Sequence, residues 1–151
     1  MQRVERSAVI AAPPAEVFAY LSDLDNLSEW QMGITSARRT SEGEMGVGAT
    51  ALVARELMGQ VIEATLTVTE YEPPRRIAIG SEVSGVRVLG TLDLTPAGDG
   101  DTTELGFAME IRGSLLTMFM EPMIAGAAGG DIDASLERLK RRFASGQSEP
   151  A

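Results

Sequence analysis

Few side chains in this sequence can do chemistry. It contains no histidine and no cysteine. That removes thiol nucleophiles, disulfides, Cys/His zinc sites and any Ser-His-Asp arrangement. The single lysine, Lys140, lies in a charged run near the C-terminus, a poor setting for a desolvated Schiff-base amine. The residues that stand out by placement are Arg55, Ser81, Trp30 and two tyrosines. Arg55 is the odd residue. A two-residue turn at Met58-Gly59 sets it opposite Ile62, on the apolar face of its strand. A charge facing a core needs a partner or a ligand anion. It could hold a carboxylate or phenolate at a pocket mouth, or polarise a carbonyl. Alternatively the turn differs, or Arg55 sits at the sheet end and reaches water. Ser81 shares that inner face and either orients a polar ligand group or bonds to backbone. Trp30 ends a short helix as a core plug or as a ligand contact. Tyr71 and Tyr20 read as packing residues.

Other patterns reduce to ordinary chemistry. Gly43, Gly46 and Gly48 lack a following Lys-Ser/Thr, so they make no phosphate loop. Asp131, Asp133 and Glu137 read as the solvent face of a helix, not as a metal site. Asp99 and Asp101 are hairpin-turn residues. Arg138 to Arg142 read as a solvated cluster that offsets a helix C-terminus. No cofactor is implied. The chain has 22 acidic against 13 basic residues, net −9, which disfavours nucleic acid and anionic membrane surfaces. The apolar stretch 115–130 is broken by Glu121 and Pro122 and falls short of the roughly 20 residues that span a bilayer. No targeting segment stands out, so the expected location is cytoplasmic, with no membrane insertion.

These residues must be positioned by an α+β chain of 151 residues, long enough for one domain with a real core. Residues 4–10 read as a first strand. Pro13-Pro14 and Glu16 then open a helix whose Val17, Phe18 and Leu21 share a face. Asp25 or Asn26 caps a second short helix, with Glu29 placed for a capping box from Asn26. About six strands follow. In Val61 to Thr69, Ile62, Ala64, Leu66 and Val68 alternate with polar neighbours, the mark of a half-buried antiparallel strand. After Gly113 the period turns helical, and Ile132, Leu136, Leu139 and Phe143 form a stripe.

Turn positions fix the registers. Met58-Gly59 pairs Arg55 with Ile62 and Val53 with Ala64. Ser84-Gly85 pairs Ser81 with Val88 and Ile79 with Gly90. A hairpin around Gly98 pairs Leu92 with Phe107, Gly90 with Met109 and Val88 with Ile111. A four-residue turn from Tyr71 to Pro74 pairs Leu66 with Ile79 and Ala64 with Ser81. All four hairpins agree on which face is apolar. The inner rows mix large residues with Ala51, Ala64, Ser81 and Gly90. Methionines from the last helix face them, and either fill a dry core or line an adaptable pocket.

The segments AVIAAPPAEVFAYLSDLDNLSEW, VTEYEPPRRIAI, GTLDLTPAGDGDTTELGFAMEIRG and ASLERLKRRF, in this order, resemble the START-like superfamily (helix-grip, SRPBCC), and within it the polyketide cyclase/dehydrase-like group. The resemblance covers nearly the whole chain. It implies a single domain over 1–144 with a frayed polar tail at 145–151. It also implies a curved seven-stranded antiparallel sheet around a long C-terminal helix, with two short helices after the first strand and a deep cavity between sheet and helix. The ligand-binding set expected there is Trp30, Ala51, Arg55, Leu66, Ile79, Ser81, Val88, Gly90, Phe107, Met109, Met118, Met123 and Ala127. No residue is assigned as catalytic and none as a metal ligand. The expected function is binding or transport of a hydrophobic small molecule such as a lipid, an isoprenoid or a polyketide-like aromatic. The alternatives are a cyclase, aromatase or dehydratase using the same cavity, and a protein-interaction or chaperone co-regulator module. The chain is expected to be a monomer or homodimer. Because members diverge in role, the fold does not decide among these functions.

Overall fold

The computed structural model describes residues 2–57, 59–83, 85–113 and 121–148, with side chains described for 2–56, 59–82, 85–113 and 129–144. The strands are β1 (Gln2–Ile10), β2 (Ile34–Arg39), β3 (Thr50–Leu57), β4 (Gln60–Glu72), β5 (Arg76–Val83), β6 (Val86–Ala97) and β7 (Thr102–Arg112). The helices are α1 (Pro14–Leu21), α2 (Leu27–Trp30) and α3 (Glu121–Ser148), with a 3-10 turn at Leu24–Asn26 before α2. Together they form a curved antiparallel sheet with a long C-terminal helix and short helices after β1, the helix-grip architecture. The strand order is β1-β7-β6-β5-β4-β3-β2, so the first two strands are the two edges. The chain between them, α1 and α2 included, must therefore cross the sheet. The described part of α3 packs mainly on β1 and β7.

Local chemistry explains most of these elements. Pro14 stands in the first turn of α1, where a missing N–H costs nothing, and Val17, Phe18 and Leu21 are its buried face. The capping box from Asn26 does not form. Asn26 makes no side-chain cap, and Asp23 caps instead, accepting from the Asp25 N–H at the 3-10 turn. That turn occupies the first capping position, so Asn26 is already helical.

Three of the four expected hairpin registers are the observed ones. Arg55 pairs Ile62, Ile79 pairs Gly90, Ser81 pairs Val88, and Leu92 pairs Phe107. The β4–β5 register differs by two residues. Val68, not Leu66, opposes Ile79, and Tyr71 opposes Ile77. Strand β4 runs on to Glu72, where the Arg75 N–H closes the turn on the Glu72 carbonyl, and a bulge between Val68 and Glu70 absorbs the odd residue. The inner row of Ile79, Gly90 and Met109 therefore continues into Val68.

The core under α1 is closed. Ile10, Ala12, Val17, Leu21, Leu24, Ile77 and Leu105 are all buried, and Ile132, Leu136, Leu139 and Phe143 form the buried stripe of α3. Tyr71 packs on Phe18 at 5.6 Å between ring centroids. Tyr20 meets Phe143 edge-on at 5.8 Å, lies 4.0 Å under the Arg142 guanidinium and donates to Glu29. Arg142 also pairs with Glu29. Arg142 thus clamps α3 to α1–α2, while Lys140 and Arg141 stay exposed as a solvated cluster should; the cluster does not end the helix, because α3 continues to Ser148. No helix among the described residues is long and apolar enough to cross a membrane.

Candidate functional site

The unusual chemistry lies at the end of the sheet where β3 meets α2 and α3. Arg55 is placed by its pairing with Ile62 on one side and Ile34 on the other. Its side chain is half-buried and lines a cleft of about 10 Å³ with Gln31, Phe107, Met109, Asp131, Ile132 and Ser135. That volume holds about one water-sized group. Burial pushes the Arg55 guanidinium below its ordinary value, and Asp131 pulls it partway back. Burial also raises the Asp131 carboxyl, with Arg55 opposing the shift. The two charges sense each other without touching. No ion pair within 4.0 Å joins them among the described residues.

Backbone geometry brings the walls together. Ser135 is fully buried; its Oγ donates to the Asp131 carbonyl at 2.7 Å and accepts the Met32 N–H at 2.8 Å. This one hydroxyl ties the α2–β2 turn to α3. Gly33 completes the turn with a positive φ of 94°, and its missing Cβ leaves Asp131 Oδ2 close to the backbone, 3.5 Å from where that Cβ would sit. Trp30 is buried and packs on Phe107 at 5.9 Å between centroids. Its Nε1 is a buried donor without a partner among the described residues, an unusual condition for an indole.

The expected site residues divide into three groups. Arg55, Phe107 and Met109 line the cleft, with Trp30 behind Phe107. Ala51 faces Leu66 and is buried, whereas Leu66, Ile79, Ser81, Val88 and Gly90 are only partly buried although they lie on the inner face. Met118 lies outside the described residues, as do the side chains of Met123 and Ala127. The sequence reading placed Asp131 in solvent, and this is corrected. Asp133 and Glu137 do face solvent, pairing with Arg6 and Lys140. The signal for Asp131 was available. Asp131, Ser135 and Leu139 are spaced i, i+4, i+8, which sets them on one face of a helix. Ser135 was missed with Asp131, whose helix face it shares, and Gln31 was missed because no pattern marks it. Among the described residues no cluster of three or more acidic groups could hold a metal.

The arrangement offers a cation, a carboxylate and an apolar inner face. It can bind an apolar molecule with one polar end, or move a proton at such an end. Comparison with known proteins bears on which. The family model described as "Polyketide cyclase / dehydrase and lipid transport" matches residues 1–144. An uncharacterized protein of Mycobacterium tuberculosis is 29% identical over 144 residues, 95% of this chain and 99% of its own length. A START superfamily protein from Mycobacterium smegmatis superposes with a TM-score of 0.79 at 16% identity, covering 95% of this chain and 97% of the other. An aromatase/cyclase from Streptomyces sp. R1128 does so with a TM-score of 0.69 at 18% identity, covering 93% and 94%. The chain belongs to the polyketide cyclase/dehydrase and lipid transport family, and it shares the fold of the START superfamily protein it superposes on.

Proposed function

We propose that this family member binds a hydrophobic small molecule between the sheet and α3, with Arg55 at the polar end of the ligand. One observation carries the reading. Leu66, Ile79 and Val88 keep exposed surface on an inner face that ends in a half-buried guanidinium. A dry core of this size would bury those side chains and exclude that charge. Ala51, Ser81 and Gly90, small residues on that same inner face, leave room beside them. Phe107 and Met109 present adaptable apolar walls. Lipids, isoprenoids and polyketide-like aromatics all fit this chemistry.

The Asp131 carboxylate favours a second reading. Arg55 would polarise a ligand carbonyl while Asp131 takes a proton from the neighbouring carbon, the first step of a cyclisation or dehydration.

Native mass spectrometry with extraction and identification of bound material tests the binding function. A stoichiometric apolar adduct is expected. It should disappear in Gly90→Leu, because a Cβ at Gly90 makes only ordinary contacts, the nearest 3.7 Å to Phe107, and the longer side chain then enters the inner space. A clean apo mass together with no thermal shift from lipid or aromatic compounds sinks the reading. Turnover of an adduct-like substrate that is lost in Asp131→Asn would select the enzyme.

A further inference from the structure

The Arg55–Asp131 pair does more than mark a polar end. A lone guanidinium on an apolar face would favour an anion. Here an acceptor faces it across the same cleft. A carboxylate entering beside Arg55 would meet Asp131, and like charges in a poorly solvated site repel strongly. The two groups stand more than 4.0 Å apart among the described residues, so neither satisfies the other directly. The cleft of about 10 Å³ accepts about one oxygen between them. Arg55 can only donate and an ionised Asp131 can only accept. A single oxygen that accepts from one and donates to the other is a water or a hydroxyl, and of a ligand's oxygen groups only a hydroxyl can replace that water with both bonds kept. Gln31 can do either, and the Ser135 hydroxyl is already committed to the Asp131 carbonyl and the Met32 N–H.

We infer that Asp131 sets the specificity of the site: with Arg55 it forms a one-oxygen subsite for an alcohol, enol or phenol, and it turns carboxylates away. The inference rests on the binding function proposed above. It narrows that function from any apolar molecule with an oxygen to a hydroxylated one.

The probes are 2-naphthol and 2-naphthoate, titrated calorimetrically into the full chain at neutral pH. Their ring systems are the same, and only the polar group differs. The naphthol should bind at least about tenfold tighter, a difference of about 1.4 kcal/mol. In Asp131→Asn, naphthoate should gain about tenfold and the preference should collapse. A wild-type preference for naphthoate overturns the inference, as does an unchanged ratio in folded Asp131→Asn. The wild-type comparison decides even if that variant does not fold. If an apolar adduct co-purifies but neither probe binds, the hydroxyl subsite falls and the binding function stands. If there is no adduct and neither probe binds, both fall.

Discussion

The two ends of the sheet's inner face contrast sharply. Beneath α1 the core is closed; Ile10, Val17, Leu21, Leu24, Ile77 and Leu105 show no accessible surface. Toward β3 and the start of the described α3 side chains, Arg55 on the sheet and Asp131 on α3 share a cleft, and Leu66, Ile79 and Val88 of the inner face stay partly exposed. The same β-strands run through both ends. The difference teaches that one continuous sheet can be a packed core along part of its length and a recognition surface along the rest. Period-two alternation secures the first, and a few charged or small side chains convert the second.

The contrast can be broken most severely from the closed end. Leu105→Ala removes a fully buried side chain and should lower unfolding stability by about 3 kcal/mol in urea melts, while leaving probe binding within about twofold. Loss of binding with stability intact would mean that the two ends are not separate.

The tie between the ends is sharpened by Ser135→Ala. It leaves the part-buried Met32 N–H without its acceptor, and should cost about 1 kcal/mol of stability. Because the Gln31–Gly33 turn then loses its tether to α3, probe affinity should also fall several-fold. A stability loss without any change in affinity would show that the turn is held by other contacts.

The smallest effect concerns the clamp outside both regions. The Tyr20 hydroxyl is pushed up to about 12, chiefly by burial, with Glu29 adding to the shift and Arg142 opposing it. A phenol whose folded value lies above its unfolded one contributes stability that is fully present below the unfolded value, near pH 10. That contribution is lost as pH rises from about 10 toward 12. Ultraviolet titration should show one phenolate forming late, and Tyr20→Phe should remove it along with that part of the alkaline stability loss. A late phenolate that survives in Tyr20→Phe would assign the shift elsewhere.

Much of this was legible in the sequence. Alternation and tight turns determined which residues face inward, and the register of three hairpins followed, because a slip by one would expose the core. Arg55 was found in this way. The β4–β5 register was not, because a shift of two residues keeps every side chain on its own face. Hydrophobic pattern is blind to it, and the bulge after Val68 decides it. Asp131 was missed for a different reason. Helical spacing could set it beside Ser135 and Leu139, but not say which strand that face would meet. Only the docking of α3 on β1 and β7, with the α2–β2 turn held by Ser135, brings its carboxylate to the cleft with Arg55. The sequence by itself determined the elements and their faces, since period and turn chemistry act locally. The meeting of two charges from distant segments was decided by tertiary packing, because it depends on how a rigid helix is rotated and seated on the sheet.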